Sequence, residues 1–72
     1  MDLNSRIQIL KQRRSKDNSL VIDDETISII AENIDSNARE LIGGFNKILA
    51  YFKMNGKALS REKMLKIIKI GE

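Results

Sequence analysis

Seven apolar residues recur at three- and four-residue intervals between positions 38 and 52: Ala38, Leu41, Ile42, Phe45, Ile48, Leu49 and Phe52. This spacing follows the turn of an α-helix, so the stretch can bury one continuous stripe only as a helix packed on other elements. The rest of the chain is punctuated to match. Leu3, Ile7 and Leu10 follow Asp2, a good N-cap, at helical spacing and predict a first helix over about 3–16, closed by the turn signal Asp17-Asn18-Ser19. Asp23 opens a second helix over 24–34, with Ile22 and Ile27 placed as a hydrophobic staple and Asp24 and Glu25 in its first turn. Its expected buried face is Ile27, Ile30, Ala31 and Ile34. The third helix, 36–54, begins at Asp35 or Ser36, ends at Asn55-Gly56 and is expected at the centre of the fold. Ser60 caps a fourth over 61–70, with Leu59 and Met64 as a second staple and Met64, Leu65, Ile67 and Ile68 facing inward up to Gly71. Short loops between amphipathic helices predict an all-α fold, a small four-helix bundle forming one domain over residues 1–72.

Several chemistries are excluded by composition. The chain has no cysteine, histidine or proline, hence no disulfide, no thiolate zinc site and no histidine base or metal ligand. It also lacks a glycine-rich phosphate loop with Lys-Ser/Thr and a G-x-S-x-G elbow. Asp23-Asp24-Glu25 are consecutive, and neighbours on a helix point about 100° apart, so they read as cap and first-turn charges and not as a metal or acid–base site. The polypeptide alone is expected not to be an enzyme and to hold no metal. No apolar run approaches the roughly 20 residues of a membrane span, and Met1-Asp2 is no signal-peptide start. The expected location is cytoplasmic.

Charge is distributed in blocks. Residues 1–22 carry five Lys/Arg and two Asp/Glu, residues 23–40 one and six, and residues 41–72 seven and two. In the first block, Lys11, Arg13, Arg14 and Lys16 fall where a helix dipole favours cations. They read as a solvated face, and Lys11, Arg13 and Arg14 alternatively as contacts to phosphate or to acidic lipid. In the last block, Lys53, Lys57, Arg61, Lys63, Lys66 and Lys69 would serve a freestanding DNA-binding bundle, although no residues suited to base reading follow Ser60.

Arg39 is the one cation of the acidic middle. With Ser36 as N-cap it occupies N3, where a positive charge opposes the helix dipole by about 0.3–1 kcal/mol unless an anion offsets it. The same helix end gathers free N–H groups and suits an anion. Gly43, Asn46 and Ala50 lie within about 40° of Arg39 on the wheel, a track of small residues along which an interaction partner can approach. Two alternatives stand beside this reading. Arg39 can pair with Asp35, and Gly43 and Gly44, each costing about 1 kcal/mol in mid-helix, can serve to admit a neighbouring helix of the same bundle.

Several segments resemble a known family. Leu3-Asn4-Ser5-Arg6-Ile7-Gln8-Ile9-Leu10-Lys11 is similar to the opening of the lid subdomain of the bacterial replication initiator DnaA, a AAA+ ATPase. Ile30-Ala31-Glu32-Asn33-Ile34 continues the similarity, Ser36-Asn37-Ala38-Arg39-Glu40-Leu41 resembles the family's S-N-V-R-E-L-E-G-A-L motif, and Leu49-Ala50-Tyr51 and Gly56-Lys57-Ala58-Leu59 its third-helix end and the turn into its last lid helix. The resemblance covers nearly the whole chain. It implies a lid-type bundle in which Arg39 is sensor 2, reaching the phosphates of ATP or ADP held with magnesium on a larger core subdomain. The implied partners are that core, neighbouring initiator subunits and, through the parent protein, origin DNA. A shorter DnaA-related regulator carries such a lid too. Two departures stand out: Ile42 replaces a common Glu, and Gly44-Phe45 an Ala-Leu. Ile42 falls in the apolar stripe, which predicts burial.

Overall fold

A computed structural model describes residues 2–17, 22–56 and 59–70. They form four helices, α1 (Leu3–Asp17), α2 (Asp24–Asn33), α3 (Ala38–Asn55) and α4 (Arg61–Ile70), with no strand among the described residues. The turn expected at residues 18–19, Lys57 and the stop at Gly71 lie outside the described residues.

Local chemistry sets most helix ends. The Asp2 carboxylate accepts from the Ser5 N–H at 2.8 Å, and Asp23 accepts from the Thr26 N–H at 2.8 Å. The Ser60 hydroxyl accepts the Lys63 N–H at 3.3 Å. Each bond satisfies an amide that helix geometry leaves without a partner. Gly56 ends α3 in the left-handed conformation, φ 71°, with its N–H on the Phe52 carbonyl. Any residue with a Cβ would be strained there.

The third helix starts later than expected. Asn37, not Asp35 or Ser36, is its N-cap, extended at φ −165° and accepting the Glu40 N–H at 2.9 Å. All three residues are competent caps, and Asn37 is the one whose side chain reaches the N3 amide of the helix that forms. Arg39 therefore sits at N2 instead of N3.

The core joins Leu10 of α1, Ile22, and Ile27, Ile29, Ile30 and Ala31 of α2 to Leu41, Phe45, Ile48, Leu49 and Phe52 of α3 and Met64 and Ile68 of α4. The centre is shared: α2 and α3 each pack on all three other helices, while α1 and α4 lie apart on either side. Enclosure on several sides buries Thr26 and Ile29 of α2 along with the expected face and leaves Ile34 half-buried at its end. The ends of the sequence stripes are less covered. Leu3 is 39% exposed and Ala38 is exposed, because both lie in first turns beyond their neighbours' reach. Ile42 is only half-buried and stands outside the core cluster, so burial in the core does not account for it.

Candidate functional site

The connection from α2 to α3 builds the site. Two arginines of α1 hold the ends of α2. Near its C-terminus, Arg6 Nε donates to the Ala31 carbonyl at 2.7 Å. α2 has no basic residue in its own last turn, so a guanidinium from α1 supplies the favourable charge and a bond to a terminal carbonyl. At the other end, Arg14 Nη1 donates to the Ile22 carbonyl at 3.1 Å and to the Asp24 carboxylate at 2.8 Å.

Past α2, the Ile34 N–H donates to the Ile30 carbonyl at 3.1 Å and the Asn33 amide to the Ile29 carbonyl at 2.7 Å. These bonds fix the chain's exit toward α3. A Cβ added to Gly44 would overlap the δ-carbon of Ile34, whereas one added to Gly43 would meet nothing within 4 Å. The two glycines therefore have different explanations. Gly44 admits Ile34, as close packing within the bundle requires. Gly43 faces open space.

At the start of α3, the Ser36 hydroxyl donates to the Glu40 carboxylate while Asn37 holds the Glu40 amide. The acid at N3 thus closes the first turn from both sides of the cap, an arrangement akin to a capping box. Arg39, one residue earlier, projects from this fixed turn. It is exposed and has no hydrogen bond or ion pair to another described residue, so the pairing with Asp35 does not form. Arg39 thus belongs to the first turn of α3, the positive end of the helix, a combination suited to an anion.

The remaining candidates separate. Gly43, Asn46 and Ala50 are exposed on α3 with Arg39. Gly43 also lines a groove of about 560 Å³, bordered by residues 33–36, by Glu40, Gly44 and Lys47 of α3, and by Ile68. Arg39, Asn46 and Ala50 lie outside it. Lys11, Arg13 and Arg14 are half-buried, not a fully solvated face, and Arg14 is committed to the start of α2. Arg14 stands at the start of α2, which its ten residues separate by about 15 Å from the end that leads to Arg39. Among the described residues no group of three or more carboxylates could hold a metal ion, and no helix is long and apolar enough to cross a membrane.

Sequence reasoning missed Arg6. Its signal was indirect: a second helix with no cation in its last turn, preceded by a helix with an arginine one turn from its start.

Comparison with known proteins gives this geometry its context. The chain is 38% identical over 61 residues to the chromosomal replication initiator protein DnaA of Azoarcus sp. (strain BH72), covering 85% of this chain and 12% of that protein. It is 48% identical over 50 residues to DnaA of Lactobacillus helveticus (strain DPC 4571), covering 69% and 11%. With DnaA 2 of Chlamydia pneumoniae it shares 35% over 68 residues, 94% of this chain and 15% of the relative.

The chain is homologous to a segment of DnaA.

It spans between a tenth and a sixth of the length of these DnaA relatives. The all-α four-helix architecture fits the helical lid that the sequence resembles. No protein-family model and no solved structure matches the chain.

Proposed function

We propose that these residues form the lid of a DnaA-type AAA+ initiator and that Arg39 reads the phosphates of a nucleotide bound on the core subdomain. The observation that carries this reading is the state of Arg39. It is an exposed arginine with no partner among the described residues, fixed at N2 of α3 by the Asn37 cap and the Ser36–Glu40 bond, within a chain homologous to DnaA. Arg14 and Arg6 differ from it: Arg14 has the Ile22 carbonyl and Asp24, and Arg6 the Ala31 carbonyl.

An exposed guanidinium beside helix N–H donors fits an anion such as a polyphosphate. A nucleotide held with magnesium would supply phosphate charge that differs between ATP and ADP, and a group contacting that charge unequally in the two cases shifts the lid's balance of orientations. The chain's own contribution is positional. Asn37 and Ser36 set the first turn, Arg6 secures the end of α2, and the fit of Ile34 against Gly44 sets α2 against α3. The phosphate loop, magnesium ligands and hydrolytic machinery would be supplied by the core, so these residues alone are not an enzyme. Neighbouring subunits and origin DNA are partners of the parent protein in this reading. The regulator alternative uses the same lid. The relatives that match here are named as initiators, which favours the initiator.

Arg39→Ala, made in the complete polypeptide, tests the assignment. The variant should retain the helix content and thermal midpoint of the parent and lose ATP-dependent origin opening. Normal opening by a correctly folded variant would refute the role given to Arg39.

A further inference from the structure

The end of α3 carries a reactive pair, Asn55-Gly56, that the nucleotide reading leaves unused. An asparagine carboxamide is a weak electrophile, and the backbone nitrogen of the next residue can close a succinimide ring on it. What crowds that nitrogen governs the closure. Gly56 has no Cβ, a Cβ placed there would meet nothing within 4 Å beyond its chain neighbours, and both residues of the pair are exposed. Every other asparagine, Asn4, Asn18, Asn33, Asn37 and Asn46, precedes a residue whose side chain obstructs the approach.

The fold holds the reacting atoms apart. Asn55 is the last residue of α3, and its Nδ2 donates to the Tyr51 carbonyl at 2.8 Å, which turns the carboxamide back along the helix. The Gly56 N–H donates to the Phe52 carbonyl at 2.9 Å from the left-handed conformation. That nitrogen must lose its proton to become a nucleophile, and it must reach the Asn55 γ-carbon. Both bonds have to open first, and a helix end is where such opening is easiest.

We propose that Asn55-Gly56 is a self-modification site, at which Asn55 converts to aspartate and isoaspartate without an enzyme, at a rate set by fraying of the last turn of α3. The Gly56 amide gives its proton to hydroxide, and its nitrogen lone pair forms a bond to the Asn55 γ-carbon. The bond from that carbon to Nδ2 breaks with its electron pair on nitrogen, which takes up a proton and leaves as ammonia. Water then opens the ring. Attack at the γ-carbon yields aspartate with the main chain intact, and attack at the α-carbonyl yields isoaspartate, whose main chain runs through the γ-carbon. Either product places a carboxylate where the carboxamide had donated to the Tyr51 carbonyl, at the negative end of the α3 dipole. The isoaspartyl product also lengthens the main chain between Phe52 and Gly56, so the Gly56 cap does not re-form. Ageing therefore loosens the end of α3 that leads to α4. Arg39 lies at the other end of the helix, so this inference stands or falls separately from the nucleotide reading.

The test is to age the complete polypeptide in warm, mildly alkaline buffer, in parallel with and without denaturing guanidinium chloride. Cleavage after Glu40 and Glu62 then releases one peptide, residues 41–62, that contains both Asn46 and Asn55. Mass spectrometry of that peptide reads the change from amide to acid at each position, and its fragments distinguish isoaspartate. Conversion is expected at Asn55, with isoaspartate present, and not at Asn46. The native rate should lie roughly 10- to 100-fold below the denatured one, the factor imposed by two hydrogen bonds that must open together, and should rise with pH. Asn55→Gln, which would have to close a larger ring, should keep native helix content and remain unconverted over the same period. A ratio of rates outside that range would overturn the proposal. So would conversion at Asn46 as fast as at Asn55, conversion of Asn55→Gln at the parent's rate, or aspartate formed without isoaspartate, which is the signature of direct hydrolysis.

Discussion

Replacing Gly43 and Gly44 by alanine, one at a time, perturbs neighbouring positions of one helix with opposite surroundings. Both lie inside Ala38–Asn55, and each substitution should gain about 0.8–1 kcal/mol by restricting the unfolded chain and improving helix propensity. At Gly43 nothing opposes this gain, since beyond its own turn of α3 the Cβ position meets nothing within 4 Å. At Gly44 the new methyl would overlap the Ile34 δ-carbon, with the Ile34 γ-carbon at 3.8 Å and an Ile30 γ-carbon at 3.9 Å. Ile34 is packed against the core and has to turn its end away, at about 0.5–1.5 kcal/mol if it leaves its rotamer well. That cost removes about half of the gain at its lower end and exceeds it at its upper end. An unfolding entropy of about 2.1 cal/mol/K per residue amounts to about 150 cal/mol/K for this chain, so 1 kcal/mol moves the midpoint by about 6–7 °C. Thermal melts followed by circular dichroism at low protein concentration should place Gly43→Ala about 5–7 °C above the parent and Gly44→Ala at least about 3 °C below Gly43→Ala. Equal gains at both positions, or none at Gly43, would refute the reasoning.

Arg6→Met retains much of the side chain's apolar volume and removes the bond to the Ala31 carbonyl. A charge-assisted bond at this half-buried site should cost about 1–2 kcal/mol in urea denaturation, and a loss under about 0.5 kcal/mol would show that α1 does not secure α2. Arg14→Ala should cost about 1–2 kcal/mol by the same assay, whereas Asp24→Ala, whose carboxylate is 73% exposed, should cost less than about 0.5 kcal/mol. Hydrogen bonds from Thr26, its side chain first and then its backbone, hold the Asp23 carboxyl below its ordinary value of 3.8. A depressed folded-state value contributes stability that is present above 3.8 and lost as pH falls through the lowered one. Asp23→Asn keeps a cap and removes the titration, so it should flatten the fall in urea stability below about pH 4; an unchanged slope would contradict the assignment.

Much of the fold was legible because short-range chemistry and periodicity agreed. Asp2, Asp23 and Ser60 cap as their positions predict, Gly56 takes the left-handed turn, and Leu41, Phe45, Ile48, Leu49 and Phe52 form the buried stripe. What the sequence hid depends on neighbours. Three competent caps in a row, Asp35-Ser36-Asn37, left the start of α3 open, and only the built turn selects Asn37. Periodicity assigns Ile42 to the stripe, yet its edge is left half-covered. Thr26 and Ile29 are buried because three helices enclose α2, which a one-sided helical wheel does not anticipate. Likewise, the glycine pair looked uniform in sequence, and packing separates Gly44, filled by Ile34, from Gly43, which is open. At the candidate site, Arg39 was legible as a cation at the wrong end of a helix, while the Ser36–Glu40 bond and the Arg6 contact that support its setting were not.

In the proposed role, Arg39 distinguishes nucleotide states. The most direct measurement is the ratio of ATP to ADP affinity in the complete polypeptide, compared among the parent, Arg39→Ala and Arg39→Lys. A charge-assisted contact to a terminal phosphate is worth about 1.5–3 kcal/mol, so Arg39→Ala should lower the ratio by about 10- to 150-fold with ADP binding nearly unchanged. Arg39→Lys, which keeps the charge and loses the planar fork, should fall between the two. An unchanged ratio in a folded Arg39→Ala protein, or equal losses for ATP and ADP, would contradict the account.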